Sequence, residues 1–565
     1  MKSPGNIMQS LRLTCLVAAS TFVLSCSSDG GSEGPSGEFL AVIQFAPSGM
    51  EPAPTEARIG FQLDASMDPS SLTPDTFYVT NEDGERLDGM RVVLEDDPAA
   101  AELLLDEPMD VITTYTATIT TGLRSRSGDT LEENFEWTFT TLDSEWGISE
   151  WIEDSNGDSA QPRIDVDAQS NAVAVWEHTT AEGTEIRANR YTRSDLWGEP
   201  VAIDAGTGGA TDPALALDDA GNAFALWVRR DVGTANTRIW SNRYDVDLGS
   251  WDTAELLQTG EITRASGPAV AAAPSGNAIA VWIQLDVISG DQAIWARMYT
   301  AGSGWGEAGP ISEADADAVL ALNPSVGMDD DGNAIAVWAR PTAAGEVIWS
   351  NRYIEGSGWG TAELVKADAE TSASTVRLSV GAGGDAFVVW AQGNGMREGV
   401  WANRFSGGSW GSPERIDRYD AGDTRTPDIA VDGSGFAHAV WAQSEDPFIN
   451  IWASQYTPGS GWQEPVLIEP PNDDPEEDGD ATSPRVGVNA AGNAFVVWLQ
   501  TFENWSSVWS NRLDPETGWF EAEVIEGRDR AARQPVVTVD DRRHAHALWP
   551  HSSGGINNCL TNRFE

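Results

Sequence analysis

GNAIAVW stands at residues 276–282 and again, unchanged, at 332–338. Its closing tryptophan returns eight times, as Trp176, Trp227, Trp282, Trp338, Trp390, Trp441, Trp498 and Trp549. The intervals are 51, 55, 56, 52, 51, 57 and 51 residues, and a fixed period of this size marks a repeat architecture. Working outward, each unit has four apolar segments. A WGxAExI-like first segment (WGTAELV, 359–365) precedes a short alternating run that often follows proline (PRIDVD, 162–167). GNAxAVW is third, and IWxNRY (348–353) is fourth. All are short, rich in Val, Ile and Trp, and bounded by Gly, Asp, Asn and Ser, which predicts strands. The third segment is apolar on both faces, so it is expected to be buried on both.

A four-stranded sheet packed between two similar sheets is a propeller blade. WGISEWIE, starting at Trp146, is a first segment with no repeat before it. LTNRFE (560–565) is a fourth segment with no first segment after it. The N-terminal strand is therefore expected to complete the last blade, a closure that resembles WD-repeat propellers although the Trp-Asp signature is absent. The predicted class is all-β: residues 146–565 form a β-propeller of eight four-stranded blades, with seven or nine as the counting alternatives.

Residues 39–142 lack the repeat. Alternating runs with Gly, Pro and Asp turns predict a small β-sandwich. Met67-Asp68-Pro69, Leu72-Thr73-Pro74-Asp75-Thr76-Phe77, Tyr115-Thr116-Ala117 and Trp137-Thr138-Phe139-Thr140-Thr141 resemble the bacterial Ig-like domain of surface-layer proteins. Asp129 stands where that family usually has Asn. The resemblance implies a spacer, and nothing in the segment looks catalytic.

Residues 1–25 read as a signal peptide: Lys2 and Arg12 precede an apolar run too short for a retained span. The run ends in Val-Leu-Ser-Cys, which resembles the bacterial lipoprotein signal. That resemblance implies a lipid on Cys26 and membrane attachment through it. Ser27 after it implies the outer membrane, at the cell surface or on the periplasmic face. Residues 26–38, rich in Gly and Ser, suit a flexible tether.

Lys plus Arg number 34 and Asp plus Glu 88, a net charge of −54. Such a surface repels phosphate backbones, so no nucleic-acid partner is expected. A monomer is expected. Of three cysteines, Cys559 alone lies in the folded body, at the Ile position of IWxNRY, so it reads as an apolar substitute.

Tryptophan suggests sugar stacking, but 22 of the 25 occupy repeated positions, where packing is expected. Trp505, in a variable loop with Glu503, is the exposed candidate for ligand binding, together with Arg229 and Arg230. The NRY arginines Arg190, Arg243, Arg352, Arg404, Arg512 and Arg563 stand at equivalent positions, which spread around a ring instead of converging. Two residues beyond each strand-ending Trp stand His178, Arg229, Gln284, Arg340, Gln392, Gln443, Gln500 and His551. This polar ring either lines a pocket or satisfies backbone groups at strand ends. DxxGN turns such as 329–333 are explained by Asp bonding its own turn. Weak calcium candidates are Asp329 and Asp331, and Asp154 and Asp158 of DSNGD, but the EF-hand pattern fails at its twelfth position. No cofactor or other metal is expected. His438, His544 and His546 read as packed side chains.

No nucleophile motif, phosphate loop or cysteine metal pattern is present. The leading function is a non-enzymatic surface lipoprotein whose propeller binds a polysaccharide, peptide or protein. A propeller glycoside hydrolase or lyase acting on extracellular polysaccharide is the rival, and would need paired carboxylates in one pocket. A structural envelope protein is the third.

Overall fold

The structure, a computed structural model, describes residues 39–565 except 49–52, 54–56, 82–83, 95, 106–108, 110–112, 142–143, 154–156, 205–208, 259–262, 289, 313–321, 343–344, 367–371, 394–396, 418–421, 446, 471–478, 503–504 and 527–530. Cys26, Asp154 and Glu503 thus lie outside the described residues. The chain divides into two compact units.

The N-terminal unit holds a four-stranded sheet in the order Val42–Ala46, Ile59–Leu63, Ala100–Leu105, Gly89–Val93. A three-stranded sheet runs Phe77–Thr80, Thr114–Ile119, Phe135–Thr140. Phe61 of the first meets Phe77 of the second edge to face at 4.9 Å, and both are buried. Met67, in the motif that resembles the Ig-like family, is fully buried. Asp68 beside it accepts the Ser70 N–H at 3.0 Å and so caps the turn that follows.

The C-terminal unit is built from one four-stranded pattern. In the first blade the second segment is innermost (Asp158–Val166), followed outward by the third (Ala172–Thr180) and fourth (Gly183–Thr192). The next unit's first segment lies outermost, as Leu196–Trp197 and Val201–Ala202. Eight such sheets form among the described residues, the second and third joined by a single parallel bridge from Thr237 to Arg264. The innermost strands that follow are Ala210–Leu217, Thr263–Ala272, Leu322–Met328, Ser372–Val380, Thr424–Val431, Asp480–Val488 and Val536–Val539. Each packs on the next, and Val536–Val539 packs on Asp158–Val166, so the ring closes on itself. The closing strand is Glu150–Trp151: Trp151 stands opposite Leu560, and Trp146 bridges Phe564. The unmatched segments at the two ends of the array therefore complete one sheet.

The repeated residues are explained by contacts between blades. The third-segment tryptophans are buried, seven of the eight completely. The Asn of NRY donates its side-chain amide to the carbonyl that ends the preceding blade's outermost strand: Asn189 to Ile152 (2.8 Å), Asn242 to Ile203 (3.0 Å), Asn403 to Val365 (3.0 Å). In the third blade Arg297 stands at that position and makes the same link, to Leu257 at 3.1 Å. The Arg of NRY lies over the aromatic residue of the next blade's fourth segment, as Arg190 over Tyr244 (5.4 Å) and Arg404 over Tyr456 (5.1 Å). These six arginines are blade-to-blade contacts.

Strand directions fix the two faces. Asp158 stands opposite Thr179, so innermost strands begin where third-segment strands end. The variable connections emerge there. The DxxGN and GSGW turns lie at the opposite face, where Val166 meets Ala172.

Candidate functional site at the mouth of the ring

Most of the polar ring two residues beyond each tryptophan turns to neighbouring side chains, while Arg340 lines a pocket with Trp338, Trp349 and Trp359. Gln284, Gln392, Gln443 and Gln500 turn back and accept the indole N–H of their own Trp at 3.0, 2.8, 3.0 and 2.9 Å. The partner of each is a side chain, and Gln500 also donates to the Gly479 carbonyl at 3.1 Å, a backbone group as the sequence suggested. A buried donor without an acceptor is costly, and these amides supply it. His178 and His551 are buried and turn to Glu153 and Glu526. Glu153 then accepts the Trp176 indole at 2.9 Å. Arg229 lies 5.1 Å over the Trp240 ring. Arg340 is half-buried.

The carboxylates that meet these histidines occupy a repeated position the sequence reading passed over. Directly after the first segment's last apolar residue stand Glu153, Asp204, Gln258, Ser312, Lys366, Asp417, Glu469 and Glu526. Asp204, Gln258, Ser312 and Asp417 accept backbone N–H groups of the fourth segment at 2.9–3.1 Å. The signal was present as a polar residue after WGxAExI in every unit.

Trp505 is 53% exposed and opens a strand of the seventh blade. Arg229 and Arg230 belong to the second blade, so they and Trp505 do not form one constellation. Arg230 is exposed and donates to the Thr234 carbonyl at 3.1 Å. Of the calcium candidates, Asp329 is buried and holds its own turn through the Asn333 N–H at 2.7 Å. Asp331 is exposed, and Asp158 accepts the Asn557 N–H at 3.0 Å. Among the described residues no three carboxylate, imidazole or thiol groups gather as metal ligands would. Cys559 is buried, its backbone N–H donating to Glu153.

Charges converge elsewhere, on the axis. Each blade carries one residue in the left-handed region on or just before its innermost strand: Gln161, Asp212, Gly267, Asn323, Thr375, Thr426, Ser483 and Gln534, with φ between 35° and 57°. Seven precede a proline; Val376 follows Thr375. In the first seven blades strand register slips there, as between Thr482 and Arg485, which makes each of those a bulge. Proline is tolerated because an innermost strand has a free edge facing the axis. The conformation is costly for threonine, and its return in all eight blades shows that the ring enforces it.

The residue after the proline therefore lines the axis within the ring, beyond the bulge from the variable-loop face, as Arg163 does opposite Val175. There stand Arg163, Arg377 and Arg485, from the first, fifth and seventh blades, with Asp428 of the sixth. The Arg377 Nε lies 3.7 Å from an Asp428 oxygen, across blades. Each arginine donates one Nη to the carbonyl before it, at 2.9, 3.3 and 2.9 Å in chain order. Burial lowers the Arg163 pKa, and the Arg485 and Arg377 charges act in the same direction against Asp212 and Glu177. Burial also lowers that of Arg377, opposed by Asp428 and reinforced by Arg485. The three guanidinium groups thus share one field. Equivalent positions on outer strands spread apart, but on innermost strands they meet.

Two acids complete the mouth. Glu177 occupies a column filled elsewhere by Val228, Ile283, Ala339, Ala391, Ala442, Leu499 and Pro550. Its carboxylate accepts the Asp212 N–H at 2.6 Å. Burial raises the pKa of both acids. Deeper in, Asp165 accepts the Leu217 N–H at 2.9 Å, and burial pushes its pKa up to about 6.

Residues 40–141 match the bacterial Ig-like domain family. No curated sequence matches the chain. Among solved structures, the β-propeller domain of the Trilobed protease from Pyrococcus furiosus is similar over 63% of this chain and 93% of that one, at 10% identity and TM-score 0.37. The α-L-arabinofuranosidase from Fusarium graminearum is similar over 74% and 97%, at 10% identity and TM-score 0.37. A polysaccharide lyase is similar over 66% and 94%, at 11% identity and TM-score 0.42. The all-β fold, an Ig-like N-terminal domain followed by a propeller-type domain, rests on the strand order and on the family match.

Proposed function

We propose that the protein is a lipid-anchored surface protein whose Ig-like domain holds out a propeller that binds a ligand at its axial mouth. The observation that carries the binding role is the convergence of Arg163, Arg377, Arg485, Asp212 and Glu177 on the axis, below the divergent loops. Packing explains the residues repeated in every unit, whereas these charges occur in only some of the blades. The anchor rests on Val-Leu-Ser-Cys at 23–26, with the outer membrane as its address. No described helix is long and apolar enough to cross a membrane.

A glycan array run beside a hydrolase and lyase panel, on the full chain, tests the function. Binding lost on substituting the mouth residues supports it. A footprint on the GSGW turns contradicts it. Cys26→Ser should release the protein from membranes, and unchanged fractionation removes the anchor.

A second reading, a polysaccharide-degrading enzyme, draws its support from Glu177 and Asp212. Two neighbouring acids whose pKa burial raises suit general acid–base chemistry. Turnover abolished by Glu177→Gln would establish that reading in place of simple binding.

A further inference from the structure

We propose that the mouth of the ring holds the anionic group of a short acidic oligosaccharide between Arg163 and Arg485. The assignment rests on the mouth being the ligand site and adds the chemistry of the ligand. Like charges brought together repel, and this cost is offset only if opposite charge arrives. Asp428 serves Arg377 at 3.7 Å, and Asp212 and Glu177 act on Arg163. Among the described residues, Arg485 has no carboxylate within ion-pair distance. Its guanidinium is nevertheless held in place, by the Pro484 carbonyl at 2.9 Å. Arg163 is tethered identically to Pro162 at 2.9 Å. Two forks fixed by the same bulge, each with donors left over, suit a carboxylate or sulfate oxygen set.

The rest of the mouth favours a hydroxyl-rich ligand. The left-handed positions carry Gln161, Asn323, Thr426, Ser483 and Gln534, and no apolar side chain stands among the eight. The Thr426 hydroxyl is buried with no partner among the described residues. A peptide side chain would find no apolar pocket here, whereas sugar hydroxyls would find amides and hydroxyls. The net charge of −54 sets the length. A long polyanion would be repelled by the surrounding surface, but a short ligand can place its one charge directly against the Arg163 and Arg485 guanidinium groups.

The test is calorimetric titration of the full chain with trigalacturonate, neutral galactotriose and trialanine, the last offering a peptide carboxylate. Trigalacturonate should bind at least about tenfold more tightly than the other two, and less tightly as NaCl rises. Arg485→Gln and Arg163→Gln should each weaken it about tenfold or more with the melting temperature unchanged. If Arg485→Gln fails to fold, Arg485→Lys, which keeps the charge but loses the fork, should fold and bind with an intermediate loss. Equal binding of galactotriose, tighter binding of trialanine, no binding of trigalacturonate, or indifference to both arginine variants would overturn the assignment. If a neutral glycan binds the mouth instead, the anion is wrong and the binding site stands. If no ligand of any class maps to the mouth, both fail.

Discussion

The Arg563 guanidinium lies 4.7 Å from the centre of the Tyr191 ring. This contact joins the eighth blade to the first and repeats, across the seam, the link that every NRY arginine makes to the blade ahead. Arg563 also reaches Glu565 at 2.9 Å and Glu150 at 3.4 Å, so it ties the closing strand as well. Arg563→Ala should therefore cost about 2 kcal/mol. Arg352→Ala, over Phe405 at 5.4 Å, should cost less. Denaturant unfolding of both variants checks the order.

Removing residues 146–151 should open the last blade. Ile556–Phe564 would then present an unpaired edge, which invites aggregation. The expected result is a lower melting temperature and loss of solubility. A deletion as stable and soluble as the parent would show that closure contributes nothing.

Gln443→Ala should leave the Trp441 indole N–H buried without its acceptor and destabilise by about 1–3 kcal/mol. Trp338→Ala, at a core position 2% exposed, should cost more, about 3–5 kcal/mol. Trp505→Ala, on an exposed side chain, should change stability little. Thermal melts of the three distinguish repeated packing residues from a free surface residue.

Acid–base behaviour should show two opposed signs. Burial pushes the Asp204 pKa up to about 7, so the folded state keeps a proton that the unfolded chain has released. Its contribution to stability is present below about pH 4 and is lost as pH rises through about 7. Asp204→Asn should therefore gain on the parent as pH rises from 4 to 7. His546, pushed down to about 4 by burial, acts the other way. Its contribution is present above about pH 6.5 and is lost as pH falls toward 4. Chemical denaturation of Asp204→Asn and His546→Phe across pH 4–8 should give difference curves of opposite slope.

The architecture was legible because period, apolar alternation and unmatched end segments all survive in a linear sequence. GNAIAVW announced a doubly buried strand, and Trp146 and LTNRFE announced the closure. Much of the candidate site was not legible, because it depends on distance from the axis. Arg163, Arg377 and Arg485 look like ordinary strand arginines until the second segment is known to be innermost. The NRY arginines look more conspicuous and are only contacts between blades. Glu177 could have been found: it is the one charge in a column of apolar residues. The polar ring was seen, but its partner was not, since an indole two residues back is reached only if the strand's end bends the side chain home.

The left-handed position that recurs once in each blade has a consequence for variation. It gives the ring eight equivalent seats whose backbone is settled by the neighbours on either side, whatever side chain sits there. Arg, Ala, Ser, Asp and Val already occupy them. Chemistry at the axis can thus be rewritten one seat at a time while the scaffold keeps its shape. Related chains could share this fold yet recognise quite different molecules, with their differences confined to eight addresses along the sequence.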